Sequence, residues 1–523
     1  MSKRQRGHHT TASKPQAKRS RLGISIGAPS ADDRRFPSDN NPSSSALSTR
    51  VVKQRRAPAL VGLCIRIFTE HFAEFSDEEH WESTRTWLKI LPDSVLPNLF
   101  SALKAQHPRR LNHAVITTYF LRGTSVSLNG ELALASHTLT AIPRVLGSKL
   151  LVLELSDIDK YTDSTYAAMV KDLPLLNTLV LRNCPKVGPS TAGMIANNCR
   201  HLRKLNLNFT SVTALSLLDL FKAIPDLEVL KLAGIQNLSD ATISRLFSLL
   251  TDDGDQAGRI PLRNLKTLKL RHNTISEIAI APFLQRCTHL ERLDVSFTLL
   301  KHIPDLPAAP FIEKISLTST FLPGKELVEL INHLPHLRIL NAGAMGVKAA
   351  TTSAMSTSTA MTLSDDILRH LTDALQECPM IQSVNLVQNT KLGASRGHNS
   401  AIAYFIQHIG RKLSYLNLSG VSVRSEDLPG LVPENQDQEV SPLETLILNK
   451  SLIDDECAPW ISTCKLLEVL EVAETRISED GLLPIIDSCP RLAELNLTGC
   501  RGVRIVDRRR FFEVWEERRM VNT

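Results

Sequence analysis

The chain has 523 residues, an apolar share of 42% and a formal net charge of +7, a length suited to a few ordinary domains or one long repeat array. No apolar run approaches the ~18 residues of a membrane span and no apolar leader opens the chain, so the expected setting is the reducing cytosol, without membrane contact. The nine cysteines are then thiols rather than disulfides. Residues 1–56 carry 13 Lys/Arg against three Asp, a net of +10 that leaves −3 for the remainder, so the overall basicity makes no case for nucleic-acid binding by the body.

Taken in chain order, residues 1–55 are rich in Ser, Arg and Pro and have almost no apolar periodicity, the composition of a disordered basic tail. Two clusters within it, Lys3-Arg4 and Lys18-Arg19-Ser20-Arg21, are spaced like a bipartite nuclear-import signal. That spacing gives the nucleus as the expected location, with the cytoplasm as a second one. The plain alternative is a solubilising tail.

Residues 56–125 read as helices that could cap whatever follows. APALVGLCIRIF places Leu60, Cys64 and Phe68 at i, i+4 and i+8, one apolar ridge on a helix. Those residues resemble the box by which ubiquitin-ligase receptors bind elongin C, with Ala59 standing where Ser, Thr or Pro is usual. Further on, Leu91-Pro92, Val95 and Leu99 are similar to the cullin box that follows in such receptors. The same stretch also resembles the opening of an F-box, in which Leu91, Pro92, Val95, Leu96, Leu99 and Phe100 would pack on the F-box adaptor. Against that reading, Pro97 interrupts the helix and the usual F-box ending is missing. Elongin-type docking, F-box docking and simple capping all stay open.

Over residues 126–502 one pattern dominates. L-x-x-L-x-L, with conservative replacements, starts at Leu150, Leu176, Leu202, Leu227, Leu265, Leu290, Ile312, Leu337, Ile381, Leu413, Leu443, Leu467 and Leu492. Longer steps coincide with polar inserts such as TDDGDQAG, TTSAMSTSTAM and PENQDQEVSP. The fold class is therefore α/β, a leucine-rich-repeat solenoid of thirteen strand–helix units, each about 25 residues long, with a parallel concave sheet. Each unit is expected to hold a short strand, a turn and an amphipathic helix begun by a cap such as Ser239 or Ser364. Residues 503–523, with Phe511, Phe512 and Trp515, read as a helix closing the far end.

Cysteine recurs in step with the repeat. Cys199, Cys287, Cys378, Cys464 and Cys489 each precede the triplet by three residues, and Cys184 and Cys500 follow a strand. No CxxC occurs, so packing is preferred over a metal site. The combination resembles the cysteine-containing leucine-rich repeats of F-box/LRR proteins, of the repeat subunit of a nucleotide-excision-repair ubiquitin ligase and of Zyg-type receptors. What the resemblance implies is a substrate receptor of a cullin-RING ubiquitin ligase, acting as one copy within a larger complex.

Between the leucines, the positions expected on the concave face divide by charge. Arg182, Lys204, Lys231, Lys269, Arg271, Arg292 and Lys314 occupy the early repeats, with Asp294 the acid among them. Asn341, Asn385, Tyr415, Asn417, Asn449, Glu471, Glu494 and Asn496 occupy the later ones. The basic set would attract an acidic or phosphorylated protein segment, and the lack of interleaved aromatics argues against nucleic acid. A solvated face of unselected charges is the bland alternative. HExxH, Walker A and GxGxxG are missing, and Gly393-Ala394-Ser395-Arg396-Gly397 lies in a polar insert rather than at a nucleophile elbow. The chain is thus expected to be no enzyme and to need no cofactor or metal. A nuclear scaffold outside ubiquitin chemistry is the main alternative, and a GTPase activator of the repeat type a third.

Overall fold

The structure, a computed structural model, describes residues 46–51, 59–252, 261–304, 311–346, 362–432 and 441–522. The basic clusters at Lys3, Arg4, Lys18, Arg19 and Arg21 lie outside these residues, as does most of each polar insert.

Among the described residues fifteen strands form one sheet. In chain order they are β1 (Leu47–Thr49), β2 (Ser125–Asn129), β3 (Val152–Ser156), β4 (Thr178–Arg182), β5 (Lys204–Asn206), β6 (Val229–Lys231), β7 (Thr267–Lys269) and β8 (Arg292–Asp294). They continue as β9 (Lys314–Ser316), β10 (Ile339–Asn341), β11 (Ser383–Asn385), β12 (Tyr415–Asn417), β13 (Thr445–Ile447), β14 (Val469–Glu471) and β15 (Glu494–Asn496). Strands β2 to β15 follow one another in parallel, and β1 returns antiparallel against β15. The solenoid expectation holds, with one parallel strand more than the thirteen triplets: Ser125-Val126-Ser127-Leu128-Asn129 pairs with β3 although its triplet is degenerate.

Each repeat is built the same way. The central leucines (Leu153, Leu179, Leu205, Leu230, Leu268) are buried under the sheet while their neighbours face outward, as the two-residue period of a strand requires. Every buried Leu contributes on the order of 1.5–3 kcal/mol, and no single repeat could exclude water from its own. After each strand from β3 to β15 the chain turns through a left-handed residue, among them Asp157, Asn183, Phe209, His272, Phe297, Gln388 and Glu474. One residue later a small polar group returns to the strand end. Thr210, Thr298 and Thr320 donate to carbonyls three residues back at 2.7–2.8 Å. Asn273 and Asn389 each donate to two carbonyls and accept one amide. Cys184 and Cys500 fill the same slot, with Cys500 Sγ 3.0 Å from Val472 O.

Most of the other cysteines lie at or just beyond helix ends. Cys199, Cys287 and Cys489 are C-cap residues, and the thiols of Cys199 and Cys489 donate to Leu173 O and Cys464 O of the preceding repeat. Burial pushes Cys199, Cys287, Cys457 and Cys464 up to about 12, and Cys378 and Cys489 to about 11. A thiol held this far from ionisation is no nucleophile at neutral pH.

Helices also join through their first turns. Asp163 accepts from the amides of Gly188, Ser190 and Thr191 in the next repeat, and Asp240 and Asp455 do the same for Ser276 and Ser478. Not every repeat carries an α-helix, contrary to the sequence expectation. Between β12 and β13 stand two 3-10 turns, Ser425–Asp427 and Pro429–Leu431. There Gly430 lies so close to the Gln407 backbone that a Cβ would sit 2.7 Å from its Cα. Proline supplies no amide for a helical ladder.

Residues 59–125 form the cap before β2: α1 (Leu60–Glu70), α2 (Phe72–Phe75), α3 (Glu78–Ile90) and α4 (Leu96–Gln106). Lys104 of α4 reaches Ser127 O of β2 at 2.8 Å, and its burial pushes the ammonium down to about 8. The opposite end holds the main correction. Residues 1–55 were expected to lack structure, yet Ala46–Arg50 is fixed on the last repeat. Leu497 N donates to Ala46 O and Arg50 N to Ala493 O, satisfying an edge strand that would otherwise stay open. The Arg50 guanidinium donates to Cys489 O and Leu492 O beyond the helix Glu479–Ser488 and lies 4.8 Å from the Phe512 ring centroid and 5.3 Å from that of Trp515. Phe511, Phe512 and Trp515 of the terminal helix Phe511–Asn522 are buried over this junction.

Candidate functional site

Two surfaces present side chains beyond what packing needs. On the concave face, strand register decides which of the expected basic residues meet. Lys231 lies opposite Lys269, Lys269 opposite Asp294, and Arg292 opposite Lys314, with neighbouring strands about 4.8 Å apart. Arg271 stands on the same face as Lys269, two residues on. These five cations form one patch across β6 to β9. Lys314 registers the crowding: burial above all, then Lys269 and Arg292, holds its ammonium below the usual lysine range, while Asp294 pulls it back up.

Arg182 and Lys204 are not part of the patch. Arg182 turns to Asp157 at 3.7 Å, and Lys204 is separated from Arg292 by Val229 and Thr267 in the same row. Several polar positions of the later repeats are less available than expected. Asn341 is buried, and Asn385 is 1% exposed, because side chains on the inside of a curved sheet converge.

No aromatic stands between the basic positions within the triplets, but rings do stand beside them, one turn beyond the strands. Phe209, His272 and Phe297 each follow a buried core leucine (Leu205, Leu268, Leu293) by four residues and adopt the left-handed conformation. His272 and Phe297 stack with centroids 4.2 Å apart at 9°, Phe209 lies 6.3 Å from His272, and the Arg271 guanidinium is 5.6 Å from the Phe297 centroid. The repeat between Phe209 and His272 has Gly234 at this place. A Cβ there would meet Phe209 Cε1 at 2.3 Å, so glycine lets the ring lie across. Burial and the Arg271 charge lower the His272 pKa, which favours the neutral ring. The fixed offset from the leucine was the legible signal; it sits outside L-x-x-L-x-L.

On the cap, Leu60 is 74% exposed and Cys64, Val61 and Ile67 are exposed with it, an apolar stripe along α1. Phe68 departs from this ridge. Its ring packs against Phe72 and Phe75 at 5.8 and 5.4 Å. Of the second set, Pro92 is exposed and Leu91 and Val95 are half-buried. Leu99 is 3% exposed and serves the core, not a docking surface. Leu96 and Phe100 are buried too, Phe100 stacking on Phe120 at 4.6 Å. The F-box arrangement needs these three side chains outside, and α4 turns them inward against β2.

The Gly393–Gly397 stretch has a structural role. Asp365 accepts from the amides of Gly393 and Ser395, while Ser395 Oγ accepts from Ala401 N at 3.0 Å. Among the described residues no group of three or more His, Cys, Asp or Glu is placed to hold a metal ion, and no helix is long and apolar enough to cross a membrane.

No protein-family model matches the chain. Among solved structures, Rad7 in its complex with Elc1 from yeast is similar over 86% of this chain and 95% of that one, at 16% identity and a TM-score of 0.46. An internalin (inlF) of Listeria monocytogenes is similar over 72% and 87%, at 14% identity and a TM-score of 0.39. The mouse RP105/MD-1 complex gives 76% and 60%, at 15% identity and a TM-score of 0.36.

Proposed function

We propose that this chain is a non-catalytic protein-recognition subunit of a cullin-RING ubiquitin ligase. Its concave patch holds an acidic or phosphorylated protein segment, and α1 docks an elongin-C-like adaptor. The observation that carries the reading is the pairing of two unlike surfaces on one rigid array. An apolar stripe through Leu60 and Cys64 is exposed among the described residues, and five cations are gathered across four strands. A helix ridge of this kind seats in a hydrophobic groove, and like charges in register gain most from an anion bridging them. Elongin-type docking is favoured over F-box docking because Leu96, Leu99 and Phe100 are committed to the core. The two basic clusters of the leading segment would direct the protein to the nucleus.

The test is co-purification from native cells with and without Leu60→Asp combined with Cys64→Asp. The substituted protein should lose its adaptor and cullin and keep its melting temperature. Retention of the same partners sinks the docking reading. Removing Lys3, Arg4, Lys18, Arg19 and Arg21 should leave the protein in the cytoplasm.

A further inference from the structure

We infer that the segment recognised on the concave face is short and extended, and carries an aromatic side chain beside its acidic residues. The ring seats on the shelf formed by Phe209, His272 and Phe297. This rests on the proposed concave site and specifies its ligand.

The argument starts from placement. From Arg292 and Lys314, through Lys231 and Lys269, to Arg271 is a step of two strand residues at a time, each about 3.4 Å per residue. The shelf follows one residue beyond Arg271. Cations and rings therefore lie along one line of about 15 Å, parallel to the strands, the reach of four or five extended residues. A ligand laid along that line meets anion sites at one end and an apolar edge at the other.

The shelf is built to be open. Phe209 is 44% exposed although it is one of the larger apolar side chains. Its ring lies over Gly234, the one residue type that leaves that space clear. Burial and Arg271 together disfavour the charged form of His272, so the middle of the shelf is a neutral ring rather than a further cation.

Two observations favour a peptide over single-stranded nucleic acid. His272 and Phe297 stack face to face at 4.2 Å, which covers one face of each, and Phe209, reaching across Gly234, lies tilted by 44° and 6.3 Å from His272, so the shelf offers edges more than open faces. Edges suit a side-chain ring packed at an angle, whereas base stacking needs a free face. The cationic track also stops short. Asp294 stands inside the patch, and Glu471 and Glu494 occupy the same rows further along the sheet. A long polyanion laid across the strands would run into these carboxylates, and one laid along them would pass beyond the cations within about 15 Å; a short acidic segment does neither.

The experiment is fluorescence anisotropy with the full-length protein and three labelled probes of equal charge. One is a peptide with a single Trp beside four Glu, the second the same peptide with Ala for Trp, the third a short thymidine oligonucleotide. The Trp peptide should bind about three- to tenfold more tightly than its Ala counterpart. Phe209→Ala with Phe297→Ala should erase that preference while leaving the Ala peptide's affinity unchanged, which also reports that the patch remains folded. Equal binding of the two peptides overturns the inference and leaves the concave acidic site standing. Tighter binding of the oligonucleotide, lost in the double variant, overturns it in favour of nucleic acid. Binding by neither peptide overturns both this inference and the concave site.

Discussion

Raising the pH from 8 to 10 should destabilise this protein far more than an ordinary repeat array. Six thiols (Cys199, Cys287, Cys378, Cys457, Cys464 and Cys489) ionise in the folded chain only at about 11 to 12, against an ordinary value of 9.0. Above pH 9 the unfolded chain sheds protons that the folded chain keeps, so stability falls as pH rises. At pH 10 each thiol costs about 1.4 kcal/mol relative to pH 8, on the order of 8 kcal/mol for the six. Lys104 works the other way. Its ammonium is held down to about 8, so the penalty for burying its charge fades between pH 8 and 10.5 and returns about 2 kcal/mol. The net loss, on the order of 6 kcal/mol, is comparable with the whole stability of many domains. Urea unfolding under reducing conditions at both pH values measures it, with thiolate ultraviolet absorbance followed in parallel. With the exposed thiol removed by Cys64→Ala, thiolate absorbance should rise only together with loss of the circular-dichroism signal. Absorbance rising near pH 9 in a chain that is still folded would refute the burial on which the reasoning stands.

Other consequences are more local. Asn389→Ala removes a side chain that answers Ala342 O, Leu386 O and Met345 N inside the sheet, and should cost about 2–4 kcal/mol in denaturant unfolding; a loss under about 1 kcal/mol would contradict the account of that slot. Arg50→Ala should speed amide hydrogen exchange in β1 and in the helix Phe511–Asn522 while leaving β2 to β12 protected. Leu99→Asp should prevent folding of the cap, whereas Leu60→Asp should shift the melting temperature by no more than about a degree. Lys231→Glu with Lys269→Glu should abolish binding of acidic peptides with no change in melting temperature.

The leucines announced the fold because their spacing reports a local requirement repeated along the chain. The repeat cysteines were legible for the same reason, since they fill either the helix end or the turn after the strand at a fixed place in the repeat. What stayed hidden depends on distance or on facing. Nothing in Ala46-Leu47-Ser48-Thr49 marks a strand; its pairing with Glu494–Asn496 is fixed by an edge more than 400 residues away. The helices of the cap were readable as helices, but Leu60 and Leu99 look alike in sequence and face opposite ways. The aromatic shelf escaped because its members lie after the triplet and reach one another only when repeats stack. The cationic patch was half legible: the residue types were visible, but register alone joins Lys231 to Lys269 and leaves Arg182 with Asp157.

The return of β1 to the far end of the array has a mechanical consequence. Between β2 and β15 the sheet runs through thirteen strand spacings, an arc of about 60 Å. Yet Arg50, seated on the last repeat, and Leu60, in the cap before the first, are ten residues apart in sequence, a covalent reach of at most about 35 Å. The covalent chain therefore holds these two ends of the array within that reach of each other. The curvature of the array is set by chain length as well as by packing. A single cut between residues 51 and 59 would leave every described contact in place and remove that limit, so scattering of the nicked protein should show a wider range of curvatures than the intact chain.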